Sequence, residues 1–297
     1  MSDVVRALGG PVSSRVLDFR RPIPPVPIEC YDLPHPDVPR GLDGATVLHL
    51  SDLHVRRVAP ASARTRALLA AVASVEVDVV ALTGDLMDEP GHEAATLEML
   101  ALVCDAARAR RGVFAVLGNH DRPVLARGLS SVAGLTALGV GSPNVVDLTF
   151  ADATLRLIGL NWPEDILELA GPGLSPLNDR PASTLPLLLA HHPSALVPAA
   201  AARVPVMLAG HTHAGQVRLH ARYAPHTSSD LPPNLATGML RLGETLCCIS
   251  RGVGDGVVEH LRLNCPRQIP LYTLRSGPMP ALPRGGSEQA ITQVVAW

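Results

Sequence analysis

Short apolar runs, each closed by a polar cluster, alternate along the first half of the chain with longer stretches whose apolar residues recur at helical spacing. Thr46–Leu50 is β-branched and apolar and ends at Ser51-Asp52. Asp78–Leu82 ends at Gly84-Asp85, and Val113–Leu117 ends at Gly118-Asn119. Between them, Ser62–Ser74 and Glu93–Arg110 have helical periodicity, the second with Leu97, Leu100, Ala101 and Cys104 on one face. A further helix is expected over Val124–Leu138.

The pattern then changes. Val145–Phe150 and Thr154–Leu160 predict a hairpin joined near Asp152, which starts a second sheet. Leu185–Ala190 and Val204–Ala209 predict two more buried strands, ending at His191 and Gly210. Met239–Arg241 with Thr245–Ser250 predicts another hairpin, and Val257–Leu263 and Ile269–Leu274 predict late strands. The expected fold is α/β: a four-layer αββα sandwich, with two mixed β-sheets face to face flanked by helices. Residues 1–44 are expected as an extended Pro-rich lead-in with a possible edge strand at Ile28–Leu33. Residues 45–274 are expected as one domain and residues 275–297 as an irregular tail.

Each strand end carries metal-ligand chemistry. The fragments are Asp52-Leu53-His54, Gly84-Asp85, Gly118-Asn119-His120-Asp121, His191-His192-Pro193 and Gly210-His211-Thr212-His213. Parallel strands deliver their carboxyl ends to one edge, where open α/β folds place ligands. Asp52 to Asp85 is 33 residues and Asp85 to Asn119 is 34. A strand, a helix and two turns need about 30 residues or more, so the donors recur once per βα unit. Asp52 with His54, and His211 with His213, lie at i and i+2, which would point both side chains the same way from an extended segment.

Composition narrows the function classes. The net charge is −2 and all 25 basic residues are arginine. That gives no basic field for nucleic acid, and any phosphate clamp must be a guanidinium. Arg56 and Arg122, beside the motifs, are weak candidates. Cys30, Cys104, Cys247, Cys248 and Cys265 have no C-x-x-C spacing, so neither a disulfide framework nor a structural zinc site is expected. No signal pattern opens the chain, and no run of 18 or more uncharged apolar residues follows. The expected location is cytoplasmic, with peripheral membrane contact left open.

The donors suffice for two cations, an arrangement used to hydrolyse phosphate esters. Asp85, in the middle of the series, is the candidate bridge. Asn119 adds a neutral oxygen, so two divalent ions keep a surplus of positive charge that attracts phosphate and makes hydroxide available near neutrality. His120, next to a ligand, is placed to protonate the leaving oxygen, and Asp121 to fix its tautomer. At His191-His192 only one ring can face the edge of an extended segment.

The order D-x-H, G-D, G-N-H-D, H-x-P and G-H-T-H resembles the calcineurin-like metallophosphoesterase superfamily over about Ala45 to Leu274. Gly210–Val217 (GHTHAGQV), Ser250–Gly254 and Arg262–Pro266 are similar to a bacterial branch of small phosphodiesterases, whose relatives include UDP-diacylglucosamine pyrophosphohydrolases. The resemblance implies one metal on Asp52, His54, Asp85 and His213, and a second on Asp85, Asn119, His191 and His211. It selects His191 over His192 and matches His120 to the family's catalytic histidine, with Asp121 as partner. Ala214 stands where the family more often has glycine, and the export signal or anchor of many branch members is not seen here.

The expected activity is hydrolysis of a small phosphodiester, nucleotide or lipid-linked pyrophosphate. Oxygen and nitrogen donors suit two divalent or mixed-valence ions, manganese or iron first, with zinc or magnesium admitted. The alternatives are a non-catalytic scaffold of the same fold and a phosphomonoesterase. A metallo-β-lactamase-type enzyme would need H-x-H-x-D-H, which His211-Thr212-His213-Ala214-Gly215-Gln216 does not supply.

Overall fold

A computed structural model describes residues 26–56, 62–165, 181–220, 224–227, 229–256 and 261–296. Two sheets carry the architecture. The first contains β1 (Ile28–His35), β2 (Thr46–Leu50), β4 (Val79–Thr83), β6 (Val113–Val116), β7 (Leu135–Ala137) and β14 (Ile269–Ser276), in the order β1-β14-β2-β4-β6-β7. The second contains β8 (Val145–Thr149), β9 (Thr154–Leu160), β10 (Thr184–Ala190), β11 (Val206–Ala209), β12 (Gly238–Leu242), β13 (Thr245–Ile249) and β15 (Thr292–Val295), in the order β15-β12-β13-β11-β10-β9-β8. β3 (Glu76–Val77) and β5 (Arg108–Ala109) form a small separate pair.

Both sheets are mixed, with a parallel centre. β2, β4, β6 and β7 run parallel, as do β9, β10, β11 and β13, while β14, β12, β8 and β15 supply antiparallel pairings. The side-chain period of two sorts each central strand between layers. Leu48 and Leu50 of β2 pack under the helices α1 (Ala63–Ala73), α2 (Glu93–Ala106) and α3 (Pro123–Leu129), whereas Val47 faces the second sheet. Leu187 and Leu189 of β10 face the first sheet, and Leu188 and Ala190 face α4 (Leu196–Ala201). Four layers result, as expected.

Three elements differ from the reading of the sequence. Helix α2 stops at Ala106, because Ala107 turns extended and Arg108–Ala109 pairs with Glu76–Val77. Arg108 and Arg110 both bond the Glu76 carboxylate, at 3.0 and 2.8 Å. The helix expected over Val124–Leu138 is the short α3 followed by edge strand β7; Gly134, at φ 80°, makes the turn between them. The tail is not wholly irregular, since Thr292–Val295 adds a strand to the β12 edge.

The Ile28–Leu33 strand lies at a sheet edge as expected and extends to His35. Of the strand expected at Val257–Leu263, residues 257–260 lie outside the described residues, and Leu263 makes only an isolated bridge to Val217. The rest of the Pro-rich lead-in, residues 1–25, also lies outside them. Among the described residues no helix is long and apolar enough to cross a membrane.

Candidate metal centre

Five strands bring the donors to one place. Asp52 and His54 follow β2, Asp85 follows β4, and Asn119 and His120 follow β6; His191 follows β10, and His211 and His213 follow β11. The ends of the two sheets meet across the gap between them. His54 Nε2 lies 3.0 Å from His213 Nε2, His191 Nε2 lies 3.2 Å from Asp85 Oδ2, and His211 Nδ1 lies 2.9 Å from Asn119 Oδ1. Three groups of ligand atoms could each hold a metal ion: Asp52, His54 and His213; His54, Asp85 and His120; and Asp85, His191 and His211.

The backbone achieves this differently from the extended i, i+2 spacing expected. Asp52, His54, Asp85, His211 and His213 all have left-handed φ, between 44° and 70°. Each residue costs of order 1–3 kcal/mol in that region, which aspartate and histidine enter more readily than most residues. The chain therefore curls back at each strand end instead of continuing the pleat. Close approach of neighbouring loops holds the curls. A Cβ on Gly84 would stand 2.7 Å from both Gly118 N and His191 Nδ1, and one on Gly210 would collide with Ser51 Oγ.

Outer hydrogen bonds orient the rings. His54 Nδ1 donates to Asp88 Oδ1 at 3.1 Å, and His191 Nδ1 donates to the Thr83 carbonyl at 2.7 Å. Both bonds leave Nε2 facing the other donors, as the atom that would bind metal once its proton is lost. Asp52 Oδ2 is buried with no hydrogen-bond partner, while Oδ1 accepts the His211 amide at 3.0 Å. A buried carboxylate oxygen without a donor is costly. A cation beside it and the facing imidazole nitrogens would satisfy all of them, so the donor set fits metal.

Charge is strongly coupled here. Burial pushes the Asp52 carboxyl up. Burial acts the same way on Asp85, but His191, His54 and His120 hold it well below the usual carboxylate range. Burial opposes charging of His191, yet Asp85, followed by Asp52 and Asp165, pushes its imidazole up to about 10. His54 is likewise raised, against burial, by Asp88, Asp85 and Asp52. His213 is held far below its ordinary value by burial and by neighbouring His54 and Arg262.

Residues 45–215 match the calcineurin-like phosphoesterase family. The chain belongs to that family. It is 28% identical over 251 residues to the metallophosphoesterase YkuE of Bacillus subtilis, covering 80% of this chain and 82% of that one. It is 30% identical over 236 residues to phosphodiesterase YaeI of Escherichia coli, covering 77% and 81%. Among solved structures, the sulfate thiohydrolase SoxB of Thermus thermophilus aligns over 79% of this chain and 57% of its own, at 15% identity and a TM-score of 0.44.

In this phosphoesterase the remaining candidates divide. His120 stands beside the donors, with its ring edge-on to His54 at 4.8 Å, and its Nδ1 bonds the Asp88 carbonyl at 2.6 Å. Asp121 is not its partner, contrary to expectation. The buried Asp121 carboxylate instead accepts the backbone amides of Leu86, Met87 and Gly118, at 3.2, 2.9 and 2.8 Å. It ties the Asp85 loop to the Asn119 loop. Burial and the charge on Asp85, against those amide bonds, push its carboxyl up to about 6. Arg56 does not stand free for phosphate, because its Nε bonds Asp88 Oδ2 at 2.6 Å. Arg122 is exposed at the head of α3. His192 turns away from Asp85 and bonds Ser194, with its ring packed on His211 at 4.3 Å.

The phosphoesterase also has supporting residues to which the reading of the sequence gave no role. Asp88 serves His54 through its carboxylate and His120 through its carbonyl. Its position three residues after Asp85 was the available signal. Asp165 accepts the amides of His191 and His192 at 2.9 and 2.6 Å, from a loop with no readable pattern. Arg262 places its guanidinium 3.3 Å from His213 Nδ1 and shares Asp255 with Arg64 and Arg267.

Proposed function

We propose that the chain is a dinuclear metal-dependent phosphodiesterase acting on a small phosphodiester or pyrophosphate. The observation that carries this reading is the position of Asp85. Its Oδ2 lies 3.5 Å from His54 Nε2 and 3.2 Å from His191 Nε2, between two otherwise separate sets of donors. Asp52, His54, Asp85 and His213 would hold one ion, and Asp85, Asn119, His191 and His211 the other. Bound cations would polarise the phosphoryl oxygens and lower the pKa of water.

The chain's own groups supply the rest. With its Nδ1 proton donated to the Asp88 carbonyl, His120 presents Nε2 at the half-buried rim, where it can pass a proton to the leaving oxygen. Arg122, exposed two residues after His120, would steady a phosphate oxygen. The name of the relative YaeI supports a diester over a monoester. Oxygen and nitrogen donors without sulfur favour manganese or iron.

Manganese-loaded protein should cleave bis-p-nitrophenyl phosphate faster than p-nitrophenyl phosphate, and a chelator should abolish the activity. Asp85→Asn should lower bound metal from two ions per chain together with turnover. Diester cleavage indifferent to chelation, or Asp85→Asn with full activity and two bound ions, would defeat the reading.

A further inference from the structure

We propose that Trp162 is a stacking platform for a planar aromatic ring carried by the substrate, which makes it a specificity-determining residue of this site. The inference rests on the phosphodiesterase reading above and adds the class of group attached to the phosphate.

The observation is a stapled turn. Residues 161–165 leave the end of β9 and close on themselves, with Asp165 N donating to the Asn161 carbonyl at 3.2 Å. At one end the Asn161 side chain accepts the Leu117 amide at 2.8 Å and donates to the Leu138 carbonyl at 2.9 Å. Trp162 N itself donates to the Leu117 carbonyl at 3.1 Å. At the other end the buried Asp165 receives the amides of His191 and His192. The turn is thus bonded to the two segments that carry Asn119 and His191, the donors of one half of the centre.

Between these fixed ends Trp162, Pro163 and Glu164 are exposed. The indole is 40% exposed, and among the described residues no hydrogen bond or ring contact engages it. Aromatic residues make up only 3% of the chain, and Trp162 is the exposed large aromatic among the described residues. Leu160 before the turn and Asp165 at its end are only 1% and 0% exposed. The fold therefore anchors this backbone to the segments that carry Asn119 and His191 and leaves one large π-face exposed on it. An indole on so anchored a turn can stack a nucleobase or an aryl group, since every such ring offers a π-face.

The test compares three diesters on manganese-loaded protein: dithymidine monophosphate with bases only, bis-p-nitrophenyl phosphate with aryl rings only, and glycerophosphoglycerol with no ring. Trp162→Ala should lower the preference in kcat/KM for a ringed over the ringless diester by about 5- to 100-fold, mainly through KM. Trp162→Phe should restore most of that preference. Whichever ringed substrate loses more identifies the source of the ring.

The chain has two tryptophans. In a Trp297→Phe background the remaining indole therefore reports directly, and thymidine monophosphate should quench its fluorescence saturably. If the wild-type protein turns over diesters but the Trp162→Ala preference is unchanged, the platform is refuted and the diesterase reading stands. If no diester is turned over, the quenching decides: saturable quenching supports the platform, and its absence refutes it.

Discussion

Asp165→Ala would expose how much of the centre depends on one carboxylate outside the ligand set. Asp165 is fully buried, and its Oδ2 accepts two backbone amides, His191 at 2.9 Å and His192 at 2.6 Å. Alanine leaves both N–H groups without an acceptor. A buried donor left unsatisfied costs about 1–3 kcal/mol, so the pair should cost about 2–6 kcal/mol. That is a large part of the about 5–15 kcal/mol that holds a typical domain together.

Asparagine is the discriminating control. Its carbonyl oxygen can take the place of Oδ2 and keep both bonds, while its NH2 replaces the partnerless Oδ1 and brings in a buried donor. The expected cost is about 1–3 kcal/mol, that of one unsatisfied NH2, and smaller than the alanine loss. Urea unfolding of the metal-stripped protein, followed by circular dichroism and extrapolated linearly, measures both variants. A loss below about 1 kcal/mol for alanine would show that the two amides find other acceptors and that the tether is not needed; an asparagine loss as large as alanine's would show that the two bonds do not carry the effect.

His120→Ala should retain both metals and lose about 10²–10⁴-fold in turnover, and a substrate with a better leaving group should be affected less; normal turnover would place the acid elsewhere. Asp121→Ala should instead lower stability and metal content together, because three amides lose their acceptor; a pure turnover defect with unchanged stability would restore the orienting role expected from the sequence. Manganese affinity should rise with pH. His191 is raised above its unfolded value, to about 10, so the metal-free fold holds that proton at neutrality. The stability it contributes is complete below the ordinary histidine value and fades as pH climbs towards 10. Metal must displace the same proton, so binding should weaken as pH falls and release protons in calorimetry across buffers of different ionisation heat. Affinity flat between pH 6 and 9 would contradict this.

The layers and the meeting of the donors were legible because both depend on local signals. Buried strands such as Thr46–Leu50 are short continuous apolar runs, and the residues that follow them need only a common strand direction to converge. The helix boundaries were less legible. Nothing in Ala106-Ala107-Arg108 forbids another helical turn; the segment instead pairs as a strand with Glu76–Val77, 32 positions earlier. The same holds inside the site. The roles of Asp121 and Asp165 are set by backbone amides from distant loops, which a side-chain motif does not encode. The curl at Asp52 and His54 was hidden because i, i+2 spacing suits a pleat and a left-handed turn equally well.

Those curls limit how the centre could be re-engineered. Aspartate and histidine are among the few side chains that tolerate a left-handed backbone, so the peptide geometry itself filters which donors can stand at these positions. A change of metal preference made by exchanging one ligand type for another would meet resistance from φ before it met coordination chemistry. Asn119 and His191, which are not among the positive-φ residues, are the positions where a new donor could be introduced without that penalty.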